Sequence, residues 1–395
     1  MKVAQFILPI AFIALASLFH ASTRTVSATV DKVNLLRVPN GGIQPQGTTD
    51  ERGTLHLVYL AGDPSASDVM YVRRAPGKPF SAPLRVNNQQ GSAVATGTIR
   101  GAQIAIGKNG RIHVVWNGST KSSPEGSHEA PMWYARLNDA GTGFEAQRNL
   151  MQISHALDGG GSVAADTTGT VYVVWHGAGD QKGEQYRRIW MARSTDEGKS
   201  FAREVTVDPP NNADNKLTGA CACCGMRAFV DSRGALSLLY RTATDMTERG
   251  MYLLTSTDKG NTFSGRRLDN WNLTTCPMSS ATMVATAKQN LAAWENNGQV
   301  FFGAVNQKAG GELTKIAAPD ATGKRKHPAI AVNKLGETIL VWTEGTGWKK
   351  GGLLAWQVFD RNGSPTAEKG SAPDVPVWGL ATVVAEADGR FSIFY

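Results

Sequence analysis

One short pattern recurs along the whole chain: an apolar strand that ends in an aromatic residue. It reads LHLVY at 55–59, IHVVW at 112–116, VYVVW at 171–175, LSLLY at 236–240, LAAW at 291–294, TILVW at 338–342 and FSIFY at 391–395. The copies lie about fifty to sixty residues apart, room for one four-stranded unit. Most follow a turn with glycine, such as KNGR, TTGT, SRGA, KLGE or ADGR, and before it another small apolar strand such as AQIAIG, SVAAD or PAIAVN. A third strand often follows, as in MYVRR, MWYARL, RIWMARS, MYLLTS and LLAWQVF, and helical periodicity is nearly absent. Such a unit predicts an all-β fold, a β-propeller of four-stranded blades, since a long sandwich would not repeat one aromatic-ended strand so regularly. Seven such strands suggest seven blades, but the last repeat stops after two, so six and seven both stand. VNLLRV (33–38) is expected to join that last blade beside the C-terminal strands near 379–395 and shut the ring, which removes exposed edges.

A second repeat sits after the third strands. STDEGKSF (194–201) and STDKGNTF (256–263) carry Ser, Asp, Gly and Phe at the same offsets; NDAGTGF (138–144) keeps Asp139, Gly141 and Phe144, and APGKPF keeps Gly77 and Phe80. The Asp carboxylate accepts backbone N–H bonds across a turn, Gly supplies positive φ, and the ring pins the hairpin to its neighbour. These residues read as scaffold.

Composition narrows the setting. Lys2 and an apolar run from Phe6 to Phe19, too short to span a bilayer comfortably, read as an export signal over residues 1–28, cleaved after Ala16 or Ala28. A single propeller domain then occupies 29–395, secreted or periplasmic and expected to be monomeric. No second apolar run predicts a transmembrane span. The net charge of +8 points to an anionic partner such as an acidic glycan, but the only dense basic cluster, GKRKH at 323–327, lacks any nucleic-acid module, so no nucleic acid is expected.

The two full boxes resemble those of the sialidase (neuraminidase) superfamily of Asp-box propellers, and the repeat covers nearly the whole chain after the leader. The resemblance implies six blades and boxes on the face away from the active site. It also implies a substrate carboxylate held by three arginines, a Tyr/Glu nucleophile pair and an Asp acid/base. Arg37-Val38-Pro39 looks like the family's Arg-Ile-Pro motif, and Asp63 falls where the acid should be. Arg100, Arg227 and Arg241 are candidate partners for Arg37, His176 is a further substrate-binding candidate, and Glu295 or Glu344 is the candidate carboxylate. Arginine forks suit a carboxylate because they donate two parallel charge-assisted hydrogen bonds. No distinct nucleophilic tyrosine stands out, and Tyr240, at a strand end beside Arg241, reads as packing.

Strand alternation puts the loops into each first strand and out of each second strand on one face, opposite the boxes. TGACACCGMR (218–227) lies on that face, carrying Cys221, Cys223 and Cys224; Cys276, the fourth cysteine, enters the next blade. Three readings stand. One or two disulfides lock the loops in an oxidising compartment; or Cys221, Cys223, Cys224, Cys276 and His327 hold copper or zinc; or one cysteine is a nucleophile or redox thiol. Three functions follow: an exo-glycosidase of sialidase type, a non-catalytic glycan- or protein-binding propeller, and a metal-dependent redox propeller. Convergent carboxylates favour the first, an aromatic rim the second, unpaired thiols the third.

Overall fold

In the computed structural model, seven sheets form among the described residues, which are 1, 31–123, 125, 129–207, 218–244, 247–305, 313–320 and 324–395. The expected export signal lies outside them, except for Met1. Strand β1 is Val33–Leu36. Blade 1 contains β2 (Ile43–Thr49), β3 (Leu55–Asp63), β4 (Ala66–Arg74) and β5 (Leu84–Arg85); blade 2 contains β6 (Gln103–Ile106), β7 (Ile112–Asn117), β8 (Met132–Arg136) and β9 (Arg148–Asn149). Blade 3 contains β10 (Ser162–Ala165), β11 (Val171–Gly177), β12 (Arg188–Ser194) and β13 (Val205–Val207). In blade 4, β14 (Gly219–Ala220) and β15 (Arg227–Val230) both pair with β16 (Leu236–Ala243), followed by β17 (Met251–Ser256) and β18 (Ser264–Asp269). Blade 5 contains β19 (Ala281–Ala285), β20 (Asn290–Asn296), β21 (Gln299–Ala304) and β22 (Lys315–Ala317); blade 6 contains β23 (Arg325–Val332), β24 (Thr338–Glu344), β25 (Gly352–Phe359) and β26 (Pro365–Val375). Blade 7 contains β27 (Thr382–Ala385) and β28 (Phe391–Phe394), and β1 completes it, parallel to β28 with Val33 opposite Phe391 and Leu36 opposite Phe394. The count is therefore seven, not the six implied by the sialidase resemblance.

The innermost strands β2, β6, β10, β15, β19, β23 and β27 each touch the next, and the last touches the first, so the ring is closed. They line an axial channel of about 1340 Å³ that runs to turns such as Asp50–Arg52 and Lys108–Gly110 at the box end of these strands; the cysteine turn at the other end is not part of its lining. The aromatic residues that end the second strands fill the wedges between blades. Tyr59, Trp116, Trp175, Tyr240, Trp294 and Trp342 are all buried. Replacing such a ring with alanine costs about 3–5 kcal/mol. Tyr240 is thus a packing residue, and burial pushes its phenol far up.

The boxes behave as scaffold. Asp196 accepts the Ser200 N–H at 2.9 Å and the Ser194 and Ser200 hydroxyls at 2.7 and 2.6 Å. Asp258 does the same with the Thr262 N–H at 2.9 Å and the Ser256 and Thr262 hydroxyls at 2.7 and 2.6 Å. Partial burial pushes the Asp196 carboxyl up, but these hydrogen bonds together outweigh it and hold the carboxyl at about 2. Gly198 has φ +76°, and a Cβ there would fall 1.8 Å from the Tyr134 hydroxyl, so only glycine fits. Each box ring staples its blade to the one before. Phe201 meets Tyr134 edge-on at 4.7 Å, Phe144 meets Tyr71 at 5.4 Å and Phe80 meets Phe394 at 5.8 Å. Blade 2 departs from the expected box chemistry. There Asn138 accepts the Thr142 N–H at 3.0 Å, while Asp139 turns to Arg111. An arginine on the adjacent turn captures the carboxylate, and the neighbouring amide caps the turn in its place.

Asp196→Ala is expected to lower unfolding stability by about 1 kcal/mol through lost turn hydrogen bonds, and Asp258→Ala to act in the same direction. Unchanged melting of both variants would remove the boxes from the scaffold.

Candidate functional site at the channel mouth

The cysteine segment interrupts the innermost strand of blade 4. β14 pairs Gly219 and Ala220 with Ala243 and Thr242 at the end of β16; the chain then makes a turn over Cys221–Gly225 and resumes as β15 at Arg227. Backbone hydrogen bonds tie this turn to three other blades. Ile99 N–H donates to the Cys223 carbonyl at 3.2 Å, Gly159 N–H to Ala222 at 2.7 Å, and Gly225 N–H to the Ser279 carbonyl at 3.0 Å. A Cβ on Gly159 would lie 2.3 Å from the Cys224 carbonyl oxygen, so the approach requires glycine. Cys223 and Cys276 form a disulfide across 53 residues, joining the loops of blades 4 and 5. Closing a loop of that length stabilises by about 4 kcal/mol in the chain-entropy account.

Cys221 and Cys224 remain thiols, both buried, with sulfurs 3.3 Å apart. The Cys223 sulfur is 3.6 Å from that of Cys221 and 3.9 Å from that of Cys224. The two thiols share their protons unequally. Burial pushes Cys224 up, yet the hydrogen bond with Cys221, the charge of Arg241 and donation from Ser279 (N–H to Sγ, 3.4 Å) together bring it below the ordinary thiol range. Cys221, whose thiol donates to Cys224 and is itself buried, is pushed well up. With Cys223 and Cys276 bridged, the cysteine sulfurs left to hold a metal are those of Cys221 and Cys224, and Met278 packs against the cluster that contains them.

The candidate substrate residues are each committed to partners of their own. Arg241 is buried and donates to the Ser279 hydroxyl at 2.8 Å and to the carbonyls of Arg249 and Glu295 at 2.7 and 2.6 Å. Arg100 donates to the Asp158 and Thr96 carbonyls, both at 2.9 Å, and to the Asp158 carboxylate at 3.2 Å. Arg227 donates to Gln103 at 2.6 Å, and burial lowers it to about 10. Arg37 stays exposed at the blade 6–7 side, donating to the Asp374 carbonyl at 2.7 Å with its guanidinium 4.0 Å from the Tyr395 ring centre. Asp63 caps an exposed turn, accepting the Ser65 N–H and hydroxyl at 2.8 Å each. Glu344 accepts from Trp342 at 2.7 Å and from Arg325 at 3.2 Å. His176 accepts from Arg187 at 3.1 Å, and His327 lies 3.5 Å from the Ser280 hydroxyl; burial lowers both imidazoles to about 3 and keeps them neutral. Glu295 is buried, 4.0 Å from Lys326, and burial pushes its carboxyl up to about 7 against the pull of Lys326 and Arg241. The structure therefore gathers Arg241, Glu295, the cysteines and Ser279 into one buried layer, while Asp63, Glu344 and Arg37 lie in surroundings of their own.

An aromatic corner also lies at the same face. Trp348 and Trp378 meet edge-on at 5.3 Å, from the loop that leaves β24 and the loop that enters β27. Gly347 and Lys350 close a tight turn with reciprocal hydrogen bonds of 3.1 and 3.0 Å, which pushes Trp348 out to 55% exposure beside exposed Lys349 and Lys350. Trp378 has φ +64° and is fixed by Gln44, whose side chain donates to its carbonyl at 2.9 Å. The available signal was a tryptophan between glycine and two lysines, in a loop too polar to bury it.

No protein-family model matches the sequence, nor does any curated protein. The fold is similar to those of a protein of unknown function from Dyadobacter fermentans (13% identity, TM-score 0.52, 80% of this chain and 94% of that one) and the Hadza microbial sialidase Hz136 (13%, 0.50, 80% and 68%). It is also similar to an α-L-arabinanase of Penicillium chrysogenum solved with arabinobiose (14%, 0.53, 82% and 95%). At these identities the likeness establishes the propeller fold.

Glu295 gives a pH signature. Its folded-state pKa near 7 lies above the ordinary 4.5, so its contribution is complete below about pH 4.5 and is lost as pH rises through 7, at up to about 1.4 kcal/mol per unit. His176 and His327 act oppositely, losing stability as pH falls below 6.5. Denaturant titrations from pH 4 to 8 are expected to show the wild type losing stability relative to Glu295→Gln as pH rises. A difference flat in pH would place the Glu295 carboxyl in water.

Proposed function

We propose that this is an exported propeller that binds an acidic glycan at its mouth face without hydrolysing it. The observation that carries this reading is the Trp348–Trp378 corner, held out by two shaped turns and flanked by Lys349 and Lys350, with Arg37 on the same side of the ring. Non-glycine residues at positive φ cost energy and persist where the surroundings enforce them, often at binding positions. An exposed indole offers a flat apolar face to a sugar ring, and the neighbouring cations supply the charge an acidic sugar requires. The disulfide fits export into an oxidising compartment. Binding is favoured over hydrolysis because most glycosidases flank one bond with two carboxyl groups about 5–10 Å apart, while the sialidase type needs a tyrosine nucleophile, and the candidate Tyr240 is buried in the core. Asp63 is occupied in its turn, Glu344 is held by Arg325 and Trp342, and Glu295 is buried.

Titration calorimetry against uronate- and sialate-containing oligosaccharides, with neutral ones as controls, tests this. Acidic ligands are expected to bind, more weakly as salt rises, and Trp348→Ala to lower affinity by about tenfold, or about 1.4 kcal/mol. Equal binding of neutral and acidic sugars, or full affinity in Trp348→Ala, would refute the reading. Sugar release that Glu295→Gln abolishes would replace binding by hydrolysis.

A further inference from the structure

All four cysteines of the chain meet at one point, and only two are consumed by the disulfide. We propose that Cys221 and Cys224, with Met278 packed against the cysteine cluster, form a buried binding site for monovalent copper on the face opposite the boxes. This inference is independent of the glycan reading and concerns different residues.

The free pair has C-x-x-C spacing, and its sulfurs, 3.3 Å apart, lie on one side of a turn fixed by the Cys223–Cys276 bridge and by backbone bonds to three blades. The sulfurs of Cys221, Cys223 and Cys224 all lie within 4.8 Å of one another. Metal–thiolate bonds of about 2.3 Å spread at 120° place two sulfurs about 4.0 Å apart. The pair would therefore open by about 0.7 Å to receive an ion. The disulfide acts as a strap that holds the ligand turn in place and leaves the thiols available in an oxidising compartment.

The donor chemistry selects the ion. Thiolate and thioether donors prefer Cu(I), which is satisfied by two or three ligands, whereas structural zinc takes four. With Cys223 and Cys276 bridged and His176 accepting from Arg187, the soft donors of the cysteine cluster among the described residues are two thiols and Met278. Met278 itself has φ +44°, a backbone conformation that methionine rarely adopts. No electron changes hands: the ion arrives as Cu(I), and thiol protons leave to solvent as the Cu–S bonds form.

The surroundings fit the resulting charge. Two thiolates and one Cu(I) carry a net charge of −1, and two buried arginines border the turn: Arg241 donates to Ser279, whose N–H points at the Cys224 sulfur, and Arg249 pairs with Glu184, which accepts the Ala222 N–H. Arg249 is 3% exposed and pairs with Glu184 through Nη2, and its Nε and Nη1 have no hydrogen-bond partner among the described residues. Two unused donors on a buried guanidinium are costly, and an anionic copper–thiolate centre beside them answers that cost. The Ser279 N–H directed at the Cys224 sulfur orients that ligand as an outer partner does in metal sites.

The test uses the full-length protein with its disulfide intact, titrated anaerobically with Cu(I) against bicinchoninate, together with alkylation of native and copper-loaded samples. One equivalent of Cu(I) is expected to be retained, with Cys221 and Cys224 protected from alkylation and Zn(II) unable to displace it. Cys221→Ser and Cys224→Ser are expected to lose more affinity than the about 10–100-fold typical of losing an outer partner. Should the serine variants fail to fold, Met278→Leu keeps the side-chain volume and is expected to weaken Cu(I) binding while leaving the melting temperature in place. Three results would overturn the proposal: no free thiols in the denatured protein, no copper retained by a protein with two free thiols, or undiminished retention in Met278→Leu and the serine variants alike.

Discussion

The structure depends on a pairing between residues at opposite ends of the sequence. β1 lies parallel to β28, Val33 opposite Phe391, and this contact turns an open array of blades into a closed ring. Open sheet edges invite pairing with other chains, and closure removes the edges at the seam. Around that ring, buried aromatic residues set the wedge between blades, and the box phenylalanines fasten each blade to its predecessor. The inner strands can be short and small because their neighbours on both sides hold them in place.

Given such a ring, the mouth face inherits a fixed frame. Loops from blades 2, 3 and 5 converge on one five-residue turn from blade 4, and their backbone groups satisfy one another across the axis. Buried backbone polar groups need partners, so the turn can leave its own sheet only because these loops complete it. The disulfide adds a covalent link to a convergence that hydrogen bonds already define. Beneath it, Arg241 spends its donors on Ser279 and two carbonyls, which is why it cannot also act as a fork for a ligand carboxylate. The frame that makes the sulfur layer rigid removes Arg241 from the ligand-binding role its position suggests.

Much of this was readable from the residues. Aromatic-ended strands at a regular interval identified the propeller, and the two full boxes identified turns whose Asp196 and Asp258 bond as their chemistry requires. The placement of the cysteines on the mouth face followed from alternation alone. Blade number was less legible, because a blade shared between β1 and the last two strands looks like half a repeat. Individual side-chain commitments were illegible for a physical reason: whether Arg100 faces a ligand or Asp158 depends on a loop partner 58 residues away. Asp139 shows the same limit, since spacing could not reveal that Arg111 would draw its carboxylate off the turn. The Asx turns between first and second strands, where Asp50, Asp166, Asp231 and Asn333 each accept two backbone N–H groups, were a repeat the sequence displayed as D-x-x-G or N-x-x-G.

The seam in blade 7 has a kinetic consequence. Contacts between distant parts of a chain form slowly, because the loop between them must be closed before any native interaction offsets the lost entropy. Blades 1 to 6 are each built from contiguous sequence and can assemble while later residues are still being synthesised. Blade 7 cannot, because β1 waits for Phe391–Phe394. Until then β1 has no partner strand and the ring behaves as a spiral. Closure of the ring thus waits on the meeting of β1 and β28.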